Sequence, residues 1–297
     1  MFNGSIVALV TPFTDAGSVD QAALARLVDF HLERGTDALV VAGTTGESAT
    51  LGRDELEALL TAVVQRVDGR VPVLAGTGSV STAVCRQQTR LAGGLGVDGV
   101  LVVTPYYVRP TQAGLEAHFL AVADDSPVPV MLYNVPTRTA VDMLPTTVEA
   151  LAAHPRIVGI KEAAGGPGRI EELRARCGAE FAVLSGDDAS CLNAMKSGAD
   201  GVISVAANVA PDMLHALCAA AAEQDWVEAD RIDQRLRPLF AALALETNPI
   251  PVKWALFEMK RIGPALRLPM TPLSPDLRES VRRCLDTLGL IPLNQDS

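Results

Sequence analysis

Eight short runs of apolar, largely β-branched residues recur along this chain, and stretches with helical spacing of apolar residues separate them. Each run is almost continuously apolar, which is typical of a strand buried on both faces of a parallel sheet. Successive runs begin about 20–33 residues apart, the length of a strand and a helix with their loops. The runs are SIVALVTPF (5–13), ALVVAG (38–43), VPVLAGTG (71–78), GVLVVTPYY (99–107), VPVMLYNVP (128–136), IVGIKEA (157–163), FAVLSGDD (181–188) and GVISVAA (201–207).

Eight strand–helix units within about 220 residues favour a closed (β/α)8 barrel, the TIM barrel. The competing fold, a doubly wound open sheet, typically has a Gly-x-Gly-x-x-Gly turn after its first strand, and here that turn reads TPFTDAG. Beyond residue 210 the strand pattern stops and four segments have helical spacing, of which the first completes the barrel. We therefore predict a TIM barrel over residues 1–224 and a C-terminal helical extension, packed on the barrel, over residues 225–297.

The charge balance excludes several classes of protein. Lys and Arg number 25 against 35 Asp and Glu, and the net charge of −10 argues against a nucleic-acid binder, which needs a basic surface to contact phosphates. The same balance disfavours a protein held at a membrane by basic residues, and no apolar run approaches the roughly 20 residues of a membrane-spanning helix. Because the first positive charge is Arg26, we do not expect a signal peptide.

The cysteines and histidines lack the spacing of a disulfide framework or of a metal site. The five cysteines are scattered without a Cys-x-x-Cys pair, which fits buried thiols in a reducing cytosol. The four histidines show no ligand spacing with one another or with a cysteine. We therefore predict a cytoplasmic protein without a metal site.

The three tyrosines and one of the four lysines fall where a barrel of this type has its active site, at the C-terminal ends of the strands. All three tyrosines, Tyr106, Tyr107 and Tyr133, lie at predicted strand ends, together with Lys161, which falls inside a predicted strand. A single strand-end tyrosine is often a core residue, but three of them beside a lysine favour a catalytic face. The remaining lysines fall in predicted helices, the last two in the C-terminal extension: Lys196, Lys253 and Lys260.

Lys161 carries the most specific chemistry of these residues. Its two chain neighbours point to the opposite side of the strand, so we expect the Lys161 side chain to enter the barrel mouth. Burial there disfavours the ammonium form, and a neutral amine attacks a carbonyl carbon to form a Schiff base. The alternative is a lysine paired with a carboxylate such as Asp187 or Glu47.

Residues near Lys161 supply the other groups that a Schiff-base reaction needs. Tyr133, at the end of the neighbouring strand, can relay protons through its phenol. The turn GTTGE (43–47) offers two hydroxyls and backbone N–H groups that can hold a carboxylate. Arg138 is the nearest cation for a second carboxylate, which a guanidinium binds through two hydrogen bonds. The alternative is that Arg138 is an ordinary surface arginine.

Seven motifs lie at the predicted strand ends and in the extension: GTTGES (43–48), TPYY (104–107), YNVPTRT (133–139), GIKEA (159–163), SGDDAS (185–190), GVISVAANV (201–209) and NPIPVKWAL (248–256). Taken together they resemble the dihydrodipicolinate synthase family of the pyruvate-dependent class I aldolase superfamily. The resemblance runs in one register from GSIVALVTPF to LRLPMTP. Each motif alone is common, whereas the set is specific.

The resemblance implies a reaction and a set of catalytic residues. Members of the family join pyruvate to L-aspartate 4-semialdehyde in the diaminopimelate route to lysine, without a metal or an organic cofactor. Lys161 would form the imine with pyruvate, and Tyr133 would relay protons within a hydrogen-bonded triad. The other members of that triad would be Thr44 and, reaching in from a neighbouring subunit, Tyr107.

The resemblance also implies which residues hold the substrates. Thr45 would bind the pyruvate carboxylate through its hydroxyl and backbone N–H, and Arg138 would bind the carboxylate of L-aspartate 4-semialdehyde. Gly186 and Ile203 would contribute backbone groups. Two alternatives stay open: a pyruvate aldolase with a different acceptor, and a barrel kept for binding or regulation, which would be expected to lack the lysine or a member of the triad.

Assembly and regulation follow from the same resemblance. It implies a homo-oligomer whose catalytic unit is a dimer, and we expect a homotetramer. Lysine-inhibited members bind lysine between paired subunits, and this chain has Val80 and Val84 where those members have asparagine and glutamate. Because valine cannot accept a hydrogen bond and burial of an unpaired ammonium is costly, we predict little or no inhibition by lysine. The positions that correspond to this pocket are Ser48, Ala49, Arg53, Leu56, Val80, Val84 and Tyr106.

Overall fold

The computed structural model describes residues 2–166 and 168–291, and its eight strands form a closed parallel barrel in chain order. Strand β8 pairs with β1 and closes the barrel, with Gly4 opposite Gly201. Gly201 has a φ of +147°, and a Cβ there would collide with the backbone of Gly4, so this close approach requires glycine. The predicted TIM barrel is confirmed. The strands are β1 (Gly4–Ala8), β2 (Ala38–Val41), β3 (Val73–Gly76), β4 (Gly99–Val103), β5 (Val130–Asn134), β6 (Ile157–Glu162), β7 (Ala182–Ser185) and β8 (Gly201–Ser204).

The helices begin where the sequence offers capping groups. Asp20 accepts a hydrogen bond from the N–H of Ala23 at the start of the first helix, and Pro145 and Pro211 occupy first-turn positions, where no N–H is needed. The helices are α1 (Gln21–Glu33), α2 (Arg53–Val67), α3 (Thr82–Gly94), α4 (Gln112–Asp125), α5 (Pro136–Thr139), α6 (Pro145–Ala152), α7 (Arg169–Cys177), α8 (Cys191–Lys196), α9 (Pro211–Ala222), α10 (Trp226–Leu243), α11 (Ile250–Glu258) and α12 (Pro275–Thr287). None of these described helices is both long and apolar enough to cross a membrane.

The strands are shorter than the apolar runs that predict them. The run 99–107 is a strand only as far as Val103, because Pro105 has no N–H to donate and Tyr107 has a φ of +69°. Likewise, Pro136 begins α5 rather than extending β5. The residues past each strand end form the loops at the C-terminal mouth of the barrel.

Alternation along the strands divides the core into two layers. Side chains such as Ile160 and Val183 pack between the strands and the surrounding helices. Their strand neighbours, such as Leu184, fill the barrel interior. This alternation sends Lys161 into the interior, as predicted.

The C-terminal extension consists of α10, α11 and α12. Helix α10 packs against α9 and α12, and α11 is largely buried through residues such as Val252 and Leu256. Lys260 lies in the turn after α11 and not in a helix, so its predicted placement is wrong, since α11 already ends at Glu258. The predicted boundary at residues 224 and 225 falls between α9 and α10, and the division into two parts stays a prediction.

Candidate active site

A cavity of about 220 Å³ opens at the C-terminal mouth of the barrel. Its walls come from the ends of several strands and from Asn248, two residues before the start of α11. Six of the eight predicted site residues line it: Thr44, Thr45, Tyr133, Arg138, Lys161 and Gly186. Strand ends that are far apart in sequence therefore converge on one enclosed space, as in other barrels of this type.

Lys161 projects into this cavity from β6 and is 5% exposed. Within the described residues its amine makes no hydrogen bond and no ion pair. The carboxylates considered as its partners bind elsewhere, since Glu47 pairs with Lys253 and Asp187 accepts hydrogen bonds from Ser190. A Cβ at Gly186 would lie 3.1 Å from Lys161 Cε, so the glycine leaves room for the lysine chain. The amine is thus buried and open to a ligand.

Tyr133 lies directly opposite Lys161 on the adjacent strand β5. The Lys161 amine is 4.5 Å from the centroid of the Tyr133 ring, and the tyrosine is 7% exposed. In the part of the chain that the structure describes, the Tyr133 hydroxyl has no hydrogen-bond partner, and neither does the Thr44 hydroxyl. Tyr133 thus lines the cavity with a phenol that is not committed to another described group.

Tyr107 does not join Tyr133 and Thr44 within one chain. It lies outside the cavity, is 88% exposed and has a left-handed backbone conformation. Ile203 also does not line the cavity, and its side chain packs in the barrel interior. Tyr107 therefore does not complete the predicted triad within one chain.

Two residues of the GTTGE turn, Thr44 and Thr45, line the cavity. Inside the turn, the Gly46 N–H donates to the Gly43 carbonyl and the Glu47 N–H to the Thr44 carbonyl. Among the described residues no acceptor pairs with the backbone N–H groups of Thr44 and Thr45. Paired N–H groups of this kind in a turn bind anions.

Asn248 connects the two predicted carboxylate-binding groups, although sequence reasoning assigned it no role. Its side-chain N–H donates to Thr45 Oγ1 at 3.0 Å, and its backbone carbonyl accepts a hydrogen bond from Arg138 Nη2 at 3.2 Å. The signal available was the Asn-Pro pair at the start of the NPIPVKWAL motif, but nothing local shows that this segment reaches residues 45 and 138. Arg138 itself is exposed at the edge of the cavity.

Two buried carboxyl groups flank the site. Burial raises the pKa of Glu162, although the Ala164 N–H and Asn134 hydrogen-bond to its carboxylate. Burial also raises the pKa of Asp188, whose carboxylate accepts the N–H groups of Val205 and Ala206 just after β8. Both groups tie loops of the barrel mouth to one another.

No group of three or more His, Cys, Asp or Glu residues within 2–166 and 168–291 is arranged to hold a metal ion.

A second cavity, of about 460 Å³, adjoins the first and shares Thr44 and Arg138 with it. Of the positions that correspond to the lysine pocket, four line this second cavity: Ser48, Ala49, Leu56 and Tyr106.

Comparison with known proteins identifies the family. The model of the dihydrodipicolinate synthetase family matches residues 1–288. The chain belongs to this family. It is therefore an enzyme of a lyase family, and the predicted resemblance is confirmed.

Individual members of the family are similar over nearly the full chain. The 4-hydroxy-tetrahydrodipicolinate synthase of Alkalilimnicola ehrlichii is 52% identical over 289 residues, which cover 97% of this chain and 99% of that protein. The crystal structure of the dihydrodipicolinate synthase from Aquifex aeolicus is 45% identical with a TM-score of 0.96, over 99% of this chain and 100% of that one. The chloride-inhibited enzyme from Acinetobacter baumannii, solved as a complex with pyruvate, is 44% identical with a TM-score of 0.96, over 98% of this chain and 100% of that one.

Proposed function

We propose that this chain condenses pyruvate with L-aspartate 4-semialdehyde, as a 4-hydroxy-tetrahydrodipicolinate synthase in the diaminopimelate route to lysine. The observation that carries the proposal is the buried Lys161 amine, which has no partner among the described residues and lies in a cavity also lined by Thr45 and Arg138, the predicted carboxylate-binding residues. The pyruvate complex of the Acinetobacter baumannii relative supports pyruvate as the first substrate. No metal or organic cofactor takes part in the proposed reaction.

Pyruvate binds first in this mechanism. Its carboxylate accepts hydrogen bonds from the backbone N–H groups of Thr44 and Thr45 and from the Thr45 hydroxyl. This places the ketone carbon next to the Lys161 amine, which attacks it, and loss of water then gives an imine. Loss of a proton from the methyl group converts the imine to an enamine.

Tyr133 relays the protons of these steps, because it lines the cavity and its hydroxyl has no partner among the described residues. Thr44 and Tyr107 of a second subunit complete the relay. The exposure of the Tyr107 ring supports this arrangement, since an 88% exposed tyrosine beside the cavity mouth can enter a neighbouring subunit. The catalytic unit is then a dimer, and we propose a homotetramer built from two dimers.

The second substrate binds through Arg138, whose guanidinium pairs with the carboxylate of L-aspartate 4-semialdehyde. Gly186, which lines the cavity, contributes backbone groups, and Ile203 contributes them from β8 although its side chain packs in the barrel interior. The enamine carbon forms a bond to the aldehyde carbon, and the substrate's own amine then attacks the imine carbon. The bond to Lys161 breaks, the lysine amine is released, and the product is a six-membered cyclic dicarboxylate.

Borohydride trapping tests this function. The protein is reduced with sodium borohydride in the presence of pyruvate and digested, and the peptides are analysed by mass spectrometry. We expect a stable N-(1-carboxyethyl) group on Lys161, which keeps the carbons of pyruvate and lacks the ketone oxygen lost as water, and Lys161→Ala should lose it. An unmodified Lys161, or an adduct on Lys253, would contradict the mechanism.

The acceptor needs a separate measurement. Turnover with L-aspartate 4-semialdehyde is compared with turnover of sugar-acid aldehydes at equal concentrations. If the enzyme prefers a sugar-acid aldehyde, the imine mechanism still stands, but L-aspartate 4-semialdehyde is not the second substrate.

We further propose that lysine does not inhibit this enzyme. Val80 and Val84 are each 40% exposed and present no acceptor to an ammonium group. Among the described residues that line the second cavity, Glu47 is the one with a carboxylate. That carboxylate is already paired with Lys253. Arg53 begins α2 and adds a positive charge near the ammonium groups of lysine.

A lysine titration of the condensation assay tests this insensitivity. Half-inhibition below about 1 mM, an affinity of roughly 4 kcal/mol, would contradict it. Introducing Val80→Asn together with Val84→Glu should increase inhibition by lysine.

The prediction of a cytoplasmic location rests on the sequence and stays a prediction.

A further inference from the structure

A buried ion pair joins the GTTGE turn to the C-terminal extension. Lys253 lies on α11, is fully buried, and its amine is 2.6 Å from Glu47 Oε1. The Glu47 side chain is 2% exposed. Neither charge belongs to the small cavity that contains Lys161, because neither residue lines it.

The second carboxylate oxygen of Glu47 is held as well. It accepts a hydrogen bond from the backbone N–H of Arg267 at 3.1 Å, and the Arg267 guanidinium pairs with Glu55 on α2. The Lys253 amine and the Arg267 guanidinium lie 4.4 Å and 4.3 Å from the centroid of the same ring, that of Phe13. The Glu47 carboxylate thus has a fixed place between two segments of the chain.

Because Glu47 is part of the GTTGE turn, holding its side chain in place also holds the turn. In the proposed function this turn binds the pyruvate carboxylate. Glu47 has a left-handed φ of +55°, and its N–H closes the turn on the Thr44 carbonyl at 3.0 Å. The two unpaired N–H groups belong to Thr44 and to Thr45, which immediately precede Gly46 and Glu47. A turn that is already in its bound conformation loses less entropy when the ligand binds.

A purely stabilising role is a poor explanation of this pair. Two buried charges lose their hydration, and replacing such a pair with uncharged groups of similar volume is often neutral for stability or even favourable. Burial lowers the pKa of Lys253, and the charge of Glu47 opposes that shift. The pair is better explained by where it holds the turn.

We propose that Lys253 is a positioning residue that, through Glu47, holds the Thr44–Thr45 turn ready for the pyruvate carboxylate. Lys253 has this role only if the turn binds pyruvate, so the role rests on the proposed function. Through Lys253, the C-terminal extension then contributes to substrate binding indirectly, because Lys253 itself does not contact the substrate.

The test compares two variants with a matched control. Lys253→Met removes one charge, and Lys253→Met with Glu47→Gln removes both, with little change in volume. The double variant decides the question if the single variant does not fold, because it leaves no unpaired buried charge. Lys196→Met is the control, since Lys196 also pairs with a carboxylate, that of Asp230 at 2.7 Å, but on the protein surface.

The readout is the pyruvate concentration that gives half-maximal borohydride trapping on Lys161, measured beside kcat at saturating pyruvate. We expect the half-maximal concentration to rise about tenfold in the double variant, equivalent to about 1.4 kcal/mol. The value of kcat and the KM for the aldehyde should change far less, and the control should match the unmodified enzyme. A folded double variant with unchanged pyruvate binding, or with kcat reduced as much as binding, would overturn the positioning role.

The unmodified enzyme separates this result from a failure of the proposed function. If it traps no pyruvate on Lys161, the proposed function fails and the role of Lys253 fails with it. If it traps pyruvate normally, the variants alone decide whether Lys253 positions the turn.

Discussion

Tyr133 and Lys161 face each other across adjacent strands, with the lysine amine 4.5 Å from the centre of the tyrosine ring. The ring packs against the end of the lysine side chain, and both residues line the same cavity. One side chain can therefore position the amine and also move protons to and from the reacting carbon. This double contact motivates the first prediction.

Tyr133→Phe should keep the contact between ring and amine and lose the proton relay. We expect kcat to fall about 10²- to 10⁴-fold, the usual contribution of a positioned acid or base. Circular dichroism and the thermal midpoint should show an intact fold, since only one hydroxyl without a partner among the described residues is removed. Turnover above a tenth of the unmodified rate would show that another group moves the protons.

Arg138→Ala should separate the two halves of the reaction. If Arg138 binds only the second substrate, borohydride trapping of pyruvate should persist while kcat/KM for the aldehyde falls. The lost contact is worth roughly 2–4 kcal/mol, or about 30- to 900-fold.

Arg34→Ala is the matched control for this variant, because Arg34 also forms an exposed contact, with Asp212 at 3.3 Å. Its two half-reactions should both be unchanged. Equal losses of imine formation and condensation in Arg138→Ala would assign Arg138 to pyruvate instead.

Local patterns in the sequence predict the strands and the direction of Lys161, because alternation and burial are properties of neighbouring residues. They do not predict what lies past the strand ends. Residues 104–107 continue the apolar run but form a loop. Glu47 is a candidate partner of Lys161 in the sequence, but it pairs with Lys253, 206 residues further along the chain. Contacts between residues so far apart in the sequence depend on how the C-terminal helices pack on the barrel, and no local sequence pattern predicts that packing.

Subunit sharing of Tyr107 predicts that two inactive variants restore each other's activity. Lys161→Ala lacks the nucleophile, and Tyr107→Phe lacks the borrowed hydroxyl. In a mixed dimer, one site combines an intact Lys161 with an intact Tyr107 from the partner. Random mixing after dissociation should restore about a quarter of the unmodified activity, because half of the dimers are mixed and each has one complete site.

The control for this experiment is each variant taken alone through the same dissociation and reassociation, which should restore no activity. An active mixture would also show that the dimer forms in solution. A mixture that stays as inactive as its components would place Tyr107 outside the catalytic relay.

A buried histidine should make stability depend on pH. Burial, assisted by the charge of Arg261, lowers the pKa of His31 from 6.5 to about 3. Since the folded pKa lies below the unfolded one, the stability is fully present above pH 6.5 and is lost as the pH falls from 6.5 towards 3. The loss from this one group is at most about 1.4 kcal/mol per pH unit.

His31→Gln should therefore flatten this dependence. Urea unfolding at pH 7 and pH 5 gives the change in free energy of unfolding, which we expect to be smaller in the variant than in the unmodified protein. Some dependence should remain, because burial also lowers the pKa of His118 to about 4. The same change with pH in both proteins would mean that His31 is not the group that titrates.

Gly186→Ala should impair imine formation through crowding. A Cβ at this position would lie 2.7 Å from the Cβ of Ala163 and 3.1 Å from Lys161 Cε, so either the loop or the lysine chain must shift. We expect a destabilisation of about 1–3 kcal/mol and slower borohydride trapping of pyruvate on Lys161. Gly94→Ala is the matched control, because a Cβ there would meet nothing within 4 Å. It should keep the unmodified trapping rate, and equal trapping rates in the two variants would show that the space beside Lys161 is larger than the reaction needs.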